Sequence, residues 1–174
     1  MSQNFSGKSS DQKKHGDLQR YLSFSLGTED YAIPLLRVKE VVAMPEVTPV
    51  PQTPTHFLGI MNLRGQVLSI IDLRLKFRMK KAEIQEETAV IILDLDTVVL
   101  GVVVDSVDSV LSLAPEEISS TPDIESTRKV DYISGVAKRE NKLVLLLDIA
   151  KALDMQDLVA IKQTARESDS EEAA

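Results

Sequence analysis

The sequence predicts an all-β domain with few helices. Three observations support this prediction: an aliphatic composition, apolar residues that alternate with polar ones along short segments, and turn residues between those segments. Of the 174 residues, 43% are hydrophobic but only 4% are aromatic, so the core must consist mainly of Val, Leu and Ile. β-Branched residues favour strands, and short, evenly spaced strands are typical of small barrels or sandwiches.

Alternation with a period of two residues marks the strands. Between Tyr21 and Leu26, for example, the large apolar side chains point to one side and the serines to the other. Residues 94–97 have the composition of a hairpin turn between two apolar segments. The predicted strands are residues 21–26, a strand starting at 31–33, 57–62, 66–71, 89–93, 98–104, 107–111, 132–138 and 142–147.

Helical structure is predicted only as short turns and near the C-terminus. An Asp directly before such a turn accepts a hydrogen bond from a free backbone N–H and so caps it, and proline suits a first helical position. The predicted helical turns are residues 35–42, where a turn runs into a strand, 73–77 capped by Asp72, 115–117 opened by Pro115, 149–153 capped by Asp148, and a helix from about Asp154 to Thr164.

Polar and proline-rich segments separate these elements. Residues 44–55 contain four prolines and predict an extended loop, because each proline fixes φ and lacks an N–H. Residues 80–87 and 119–131 are predicted to be polar surface loops. The predicted organisation is a flexible tail at 1–19, a folded domain at 20–153, and a C-terminal helix with an acidic disordered tail at 154–174, in which disorder begins near Arg166.

Composition excludes several classes of protein. The absence of Cys excludes disulfides, thiolate zinc sites and thiol catalysis. A net charge of −7 and a pI of about 4.9 argue against a nucleic-acid partner. The apolar runs are far shorter than the roughly 20 residues of a membrane helix, and no signal peptide is visible. We therefore expect an intracellular protein without direct membrane insertion.

No motif of catalytic chemistry is visible. His15 lies in the predicted tail and His56 has no second histidine near it, so a surface or half-buried histidine is favoured over a metal ligand. The chain has no Gly-x-Ser-x-Gly elbow and no glycine-rich phosphate loop. We expect no metal and no cofactor, and a protein that is not an enzyme. A β-rich domain of this kind is typically used for recognition.

Two sets of charged residues each have two interpretations, one functional and one structural. Four aspartates, Asp94, Asp96, Asp105 and Asp108, suggest a cation site, but the EF-hand pattern is absent and hairpin turns favour Asp for backbone reasons. The basic run Arg74–Lys81 suits an acidic partner or a solvated loop, and the loop is favoured.

Several segments together resemble the CheW family of chemotaxis coupling proteins. The most specific is Asn62-Leu-Arg-Gly65 with Ile71-Asp-Leu-Arg74 after it. The resemblance covers about residues 20–153. The segments that carry it are Phe24–Ile33 followed by Val38–Val41, Gly59–Gly65 running into Ile70–Arg74, Leu100–Asp105 followed by Val107 and Val110–Leu113, and the later Tyr132–Gly135 and Leu146–Asp148.

The resemblance implies a fold and a function. The expected fold is two intertwined five-stranded SH3-like β-barrel subdomains around a shared hydrophobic core. The expected function is a cytoplasmic adaptor of membrane-bound receptor arrays that bridges the cytoplasmic tips of chemoreceptors to the regulatory domain of the histidine kinase CheA. The chain leaves no room for a fused kinase or receiver module, so a standalone coupler is expected. A paralogous adaptor of a pilus-motility or other non-flagellar signalling array is the alternative.

The resemblance also implies which residues matter. Positions that match partner-contact residues of the family are Val38, Glu40, Asn62, Arg64, Val107 and Val110, and those that match structural glycines are Gly59, Gly65 and Gly101. For Arg64, two interpretations remain open: a planar donor fork for a partner, or a brace of its own turn. Val38 and Val110 either line an apolar groove for a helix or are ordinary core residues.

Overall fold

The computed structural model describes residues 17–120 and 131–172, and these residues form mostly β-strands, which confirms the all-β prediction. Short 3-10 turns lie at Leu35–Arg37 and Pro115–Glu117. The strands are β1 (Gln19–Leu26), β2 (Glu29–Pro34), β3 (Val38–Ala43), β4 (Phe57–Leu63), β5 (Gln66–Asp72), β6 (Ala89–Asp94), β7 (Val99–Val104), β8 (Ser106–Leu113), β9 (Ile118–Ser119), β10 (Ile133–Arg139) and β11 (Lys142–Leu147). The helices are α1 (Leu73–Lys76), α2 (Ile149–Ala152) and α3 (Met155–Glu172).

The strands form two sheets through which the chain passes in turn. The first sheet has the order β8-β1-β2-β11-β10-β9, and the second has the order β3-β6-β7-β5-β4. The chain starts in the first sheet with β1 and β2, builds the whole second sheet, and returns to the first at β8. The two halves are therefore intertwined, as the family resemblance implies.

In each sheet, the chain connects the two strands that lie at opposite ends of the strand order. In the second sheet, Thr48 follows β3 and exchanges two backbone hydrogen bonds with Ile60 of β4, both 2.9 Å. In the first sheet, β8 continues through a 3-10 turn into β9, which pairs with β10. The first sheet has six strands rather than five because this turn divides one bent strand in two. The SH3-like geometry stays a prediction.

The core is shared between the sheets and is mainly aliphatic. The predicted inner face of β1 is buried, with Phe24 and Leu26 at 0% exposure. These side chains belong to one cluster with residues of the second sheet such as Ile91 and Leu100. Each fully buried Leu, Ile or Phe contributes about 1.5–3 kcal/mol, so this shared cluster holds the two sheets together.

Four aromatic residues form a single row. The ring of Tyr31 lies 5.9 Å from those of both Phe24 and Phe77, and Phe77 stacks on Tyr132 at 4.9 Å. The row joins β1 and β2 to the residue after α1 and to the residue before β10. Aromatic pairs of this geometry add about 0.5–1.5 kcal/mol each beyond their buried area.

Most predicted elements are present with bounds that differ by one or two residues, and two differences are larger. The two-residue strand β9 was not predicted, because a segment this short shows no alternation. Helix α3 runs to Glu172, beyond the end predicted near Thr164, since the residues that follow contain no Gly or Pro. The predicted tail at 1–16 and most of the predicted loop, at 121–130, lie outside the described residues.

An ion pair connects the second sheet to the first turn of the first sheet. Arg74 of α1 donates from Nε to Asp105 at 2.7 Å, and a second nitrogen of Arg74 also reaches this carboxylate. The same carboxylate accepts from the backbone N–H of Gly27, which lies in the β1–β2 turn. The hydrogen bond from Arg74 holds the pKa of Asp105 below its usual value, with the Gly27 N–H acting in the same direction against desolvation.

Two of the predicted structural glycines lie where a side chain has no room. Gly59 has φ of +140°, and a Cβ there would lie 2.0 Å from the carbonyl oxygen of Thr48. A Cβ at Gly101 would lie 2.6 Å from side-chain atoms of Ile70 and Val90. At Gly59 the obstacle is backbone, so the pairing that joins the edges of the second sheet requires glycine.

We expect Gly59→Ala to lower the free energy of unfolding by about 3 kcal/mol, because it combines a strained φ with a backbone clash. Urea denaturation followed by circular dichroism measures this. Gly65→Ala is the matched control: Gly65 also has positive φ, but nothing lies within 4 Å of its Cβ position. Equal losses for the two variants would contradict the role assigned to the Thr48–Ile60 pairing.

We expect Asp105→Asn to lower the free energy of unfolding at pH 7 by about 2 kcal/mol, because a charge-assisted hydrogen bond is lost. The folded-state pKa of Asp105 is depressed, so its stabilisation is present above the unfolded-state pKa and is lost as pH falls through the folded value. Urea denaturation between pH 7 and pH 3 should show a shallower acid decline in the variant than in the wild type. Parallel declines would show that Asp105 does not contribute to acid sensitivity.

Candidate partner-binding surface

The turn between β4 and β5 projects Arg64 away from the sheet. Leu63 pairs with Gln66, which leaves a two-residue turn of Arg64 and Gly65 with φ values of 51° and 87°. Positive φ at both positions is typical of the type I′ hairpin turn. The side chain of Asn62 accepts a hydrogen bond from the Gly65 N–H at 2.8 Å. Asn62 thus shapes the turn, and Arg64 is presented at its tip.

Arg64 and Glu40, two predicted contact residues, form an ion pair. Arg64 donates from Nη2 to Oε2 of Glu40, although β3 and β4 are at opposite ends of the strand order. They meet because the chain after β3 pairs with β4 and so joins the two edges. The Arg64 side chain remains 71% exposed. Arg64 thus pairs with β3 rather than bracing its own turn, and its role as a donor for a partner stays a prediction.

The strand β3 and the 3-10 turn before it expose apolar side chains. Val38 is half-buried and packs against the core, which supports its plainer interpretation. Val41 is 41% exposed and Leu36 is 99% exposed. Sequence analysis missed Leu36, although a signal existed: two adjacent leucines in a three-residue turn cannot both face the core, and Leu35 packs against it. We call Leu36, Glu40, Val41 and Arg64 the β3 surface.

The other two predicted contact residues lie on the other sheet. Val107 and Val110 are in β8, which hydrogen-bonds only to β1 among the described strands. Val107 is half-buried against the core, whereas Val110 is 45% exposed. We call these two residues the β8 surface. The predicted contact positions are thus divided between the two sheets and do not form one cluster.

The four aspartates considered as a cation site have separate structural partners. Asp94 accepts from the Asp96 N–H, and Asp96 pairs with Arg37 at 2.6 Å. Asp108 accepts from the hydroxyl groups of serines in β1 and β8, and Asp105 is bound by Arg74. Within residues 17–120 and 131–172, no group of three or more His, Asp or Glu side chains is placed to hold a metal ion.

Two of the five basic side chains in the run are paired within the chain itself. Arg74 pairs with Asp105, and Lys76 pairs with Asp154 and Asp157 of the C-terminal region. His56 also contacts Asp157. Sequence analysis did not predict these contacts with Asp157. The one available signal was the spacing of Asp154 and Asp157, which is that of a helix-capping pair.

In the part of the chain that the structure describes, no helix has both the length and the apolar composition needed to cross a membrane.

Comparison with known proteins identifies the family. The model of the CheW-like domain matches residues 20–157. The chain belongs to the CheW family. It is 36% identical to the chemotaxis protein CheW of Klebsiella aerogenes over 148 residues, which cover 85% of this chain and 89% of that protein. It is 30% identical to CheW of Treponema pallidum over 141 residues, which cover 79% of this chain and 83% of that protein.

A solved CheW structure supports the fold. The crystal structure of the scaffolding protein TtCheW from Thermoanaerobacter tengcongensis matches with a TM-score of 0.73 and 27% identity, over 81% of this chain and 96% of that one. The predicted family and the all-β, two-sheet fold are therefore confirmed. The roles of individual contact residues stay predictions.

We expect Arg64→Ala to change the free energy of unfolding by less than about 1 kcal/mol, because its ion pair with Glu40 is largely exposed to solvent. Urea denaturation at low and high salt measures this. A loss well above that range would mean that Arg64 is mainly a structural brace, and binding data on the variant would then need correction for unfolding.

Proposed function

We propose that this CheW-family protein is a cytoplasmic adaptor that couples the tips of chemoreceptors to the regulatory domain of the histidine kinase CheA. The observation that carries the proposal is the division of the predicted contact residues between two surfaces. An adaptor must hold two partners at once, and the β3 surface and the β8 surface belong to different sheets that share one core.

The β3 surface has the composition of a protein contact. Interface energy is concentrated in a few apolar or Arg side chains surrounded by polar groups. Leu36 at 99% exposure and Val41 at 41% are apolar, and the Arg64–Glu40 pair adds charge beside β3. The left-handed backbone of the β4–β5 turn fixes the position of Arg64, which lowers the entropy cost of binding.

The β8 surface suits a second, smaller contact. Val110 is exposed on a strand at the end of the first sheet, and Asp108 and Ser109 beside it are also exposed. Apolar side chains on such a strand offer contacts to a helix or to another strand. The proposed function needs no catalytic group, and the description of the related TtCheW as a scaffolding protein supports this view.

Reconstitution tests the proposal directly. We expect the purified protein to co-sediment with vesicles that carry a chemoreceptor, to recruit CheA to them, and to place CheA autophosphorylation under control of the receptor ligand. The control is the same mixture without this protein. Failure to bind either the receptor vesicles or the isolated CheA regulatory domain would contradict the proposal.

We expect Val110→Glu to weaken co-sedimentation with one partner by at least about tenfold, because a charge in an apolar contact must be desolvated. Val159→Glu on α3 is the matched control, since Val159 is 48% exposed and Val110 45%. If both valine variants behave alike, the β8 surface is not a binding surface.

Arg64→Ala should reduce receptor control of CheA while the protein stays folded.

A second candidate is a paralogous adaptor of a pilus-motility or other non-flagellar array. One relative has another name: Protein FrzA of Myxococcus xanthus, 29% identical over 138 residues, which cover 78% of this chain and 85% of that protein. A strain that lacks this protein separates the two candidates. Loss of swimming chemotaxis supports the first, whereas a defect confined to surface motility supports the second.

A further inference from the structure

Helix α3 is an addition to the part of the chain that the family model matches. The match ends at Asp157, in the first turn of α3, whereas the helix continues to Glu172. The helix packs on β5 of the second sheet. Its role is therefore considered from its own contacts.

The first turn of α3 is anchored by one buried carboxylate. Asp157 is 0% exposed, and its Oδ2 accepts from Nζ of Lys76 at 2.6 Å. The same Oδ2 accepts from the Asp154 N–H at 3.0 Å, and Oδ1 contacts Nε2 of His56. In return, Asp154 accepts from the Asp157 N–H at 3.0 Å, which completes a reciprocal helix cap.

Asp157 therefore joins three separate segments of the chain. Lys76 belongs to α1, and His56 directly precedes β4. Hydrogen bonding from the Asp157 N–H, with a further bond from Lys76, lowers the pKa of Asp154. The N-terminus of α3 is thus held by Lys76, which lies after β5, and by His56, which lies before β4.

The surface on which α3 packs, which we call its seat, is also partly polar further along the helix. The hydroxyl groups of Ser69 in β5 and Thr164 in α3 lie 3.0 Å apart and are both buried. Between the two polar anchors, Ala160 and Ile161 pack into the core. A seat containing Ser69, His56 and Lys76 can be hydrated after the helix leaves, at a lower cost than an apolar face of the same size.

Helix α3 also forms one wall of an open groove, which reaches the buried Ala160 and Thr164. The groove has a volume of about 1000 Å³, and the loop Val50–Pro54 forms its other wall. Met155 and Val159 line it and are 75% and 48% exposed. Helices of this length are only marginally stable alone in water, so both the helix and the groove depend on the seat.

We propose that α3 is a detachable strap and that Asp157 is its latch, which closes on Lys76 and His56. The strap opens as a unit while the two sheets remain folded. Opening uncovers Ser69 and His56 and removes one wall of the groove beside Val50–Pro54. A buried ion pair suits a latch, because breaking it by removal of one partner is strongly destabilising while the pair itself adds little net stability.

Hydrogen–deuterium exchange of the full chain, followed by mass spectrometry, tests the strap. In the wild type we expect the amides of α3 to exchange at least about tenfold faster than those of β6 and β7, by local opening. Asp157→Asn should accelerate exchange in α3 by a further factor of about 100 and leave β6 and β7 unchanged. If the amides of α3 exchanged at the same rate as those of β6 and β7 in either protein, the proposal would be overturned.

Two further variants keep the test decisive if Asp157→Asn folds poorly. Lys76→Met removes one partner of the latch and should also accelerate exchange in α3 alone. Lys162→Met is the matched control, because Lys162 is an exposed residue of α3, and it should leave α3 exchange unchanged. If Lys76→Met behaves like Lys162→Met, the latch does not exist. The double variant Lys76→Met with Asp157→Asn should exchange no faster than Asp157→Asn alone.

Discussion

The backbone pairing of Thr48 with Ile60 is the constraint on which the β3 surface depends. The strand order of the second sheet places β3 and β4 at opposite ends. The chain beyond β3 returns to β4 through these two hydrogen bonds, and only then does Glu40 lie beside Arg64. Gly59 is required at this point because a side chain would occupy the position of the Thr48 carbonyl oxygen. A steric requirement of the backbone thus decides the arrangement of a charged surface.

The two sheets are coupled by apolar packing and by one ion pair. Each sheet has a smaller buried cluster of its own, and the largest cluster contains side chains from both sheets, so that cluster joins the two. Asp105 adds a directional link, because its carboxylate binds Arg74 after the second sheet and Gly27 in the first turn of the first sheet. The proposed contact residues lie on both sheets, so packed side chains and this ion pair fix the two surfaces relative to each other.

The charged residues of this chain divide into two groups by burial. Exposed pairs such as Arg64–Glu40 contribute little to stability, which leaves them available for recognition. The buried Asp157 has the opposite character, because its carboxylate is removed from water, pairs with Lys76 and contacts His56. The same residue types therefore form a solvent-exposed pair in one place, on the proposed β3 surface, and a buried pair at the start of a helix in another.

The sequence by itself determined every described strand except β9, the capped turns at Asp72 and Asp148, and the family, because alternation, capping and the Asn62–Gly65 motif are local patterns. It named Glu40 and Arg64 but left the role of Arg64 open. Only the tertiary structure decided that these two residues meet and that Leu36 is exposed. It also decided that His56 contacts Asp157, 101 positions away. Such contacts depend on which sheet edges join and how a helix is seated, and no periodicity along the chain records that.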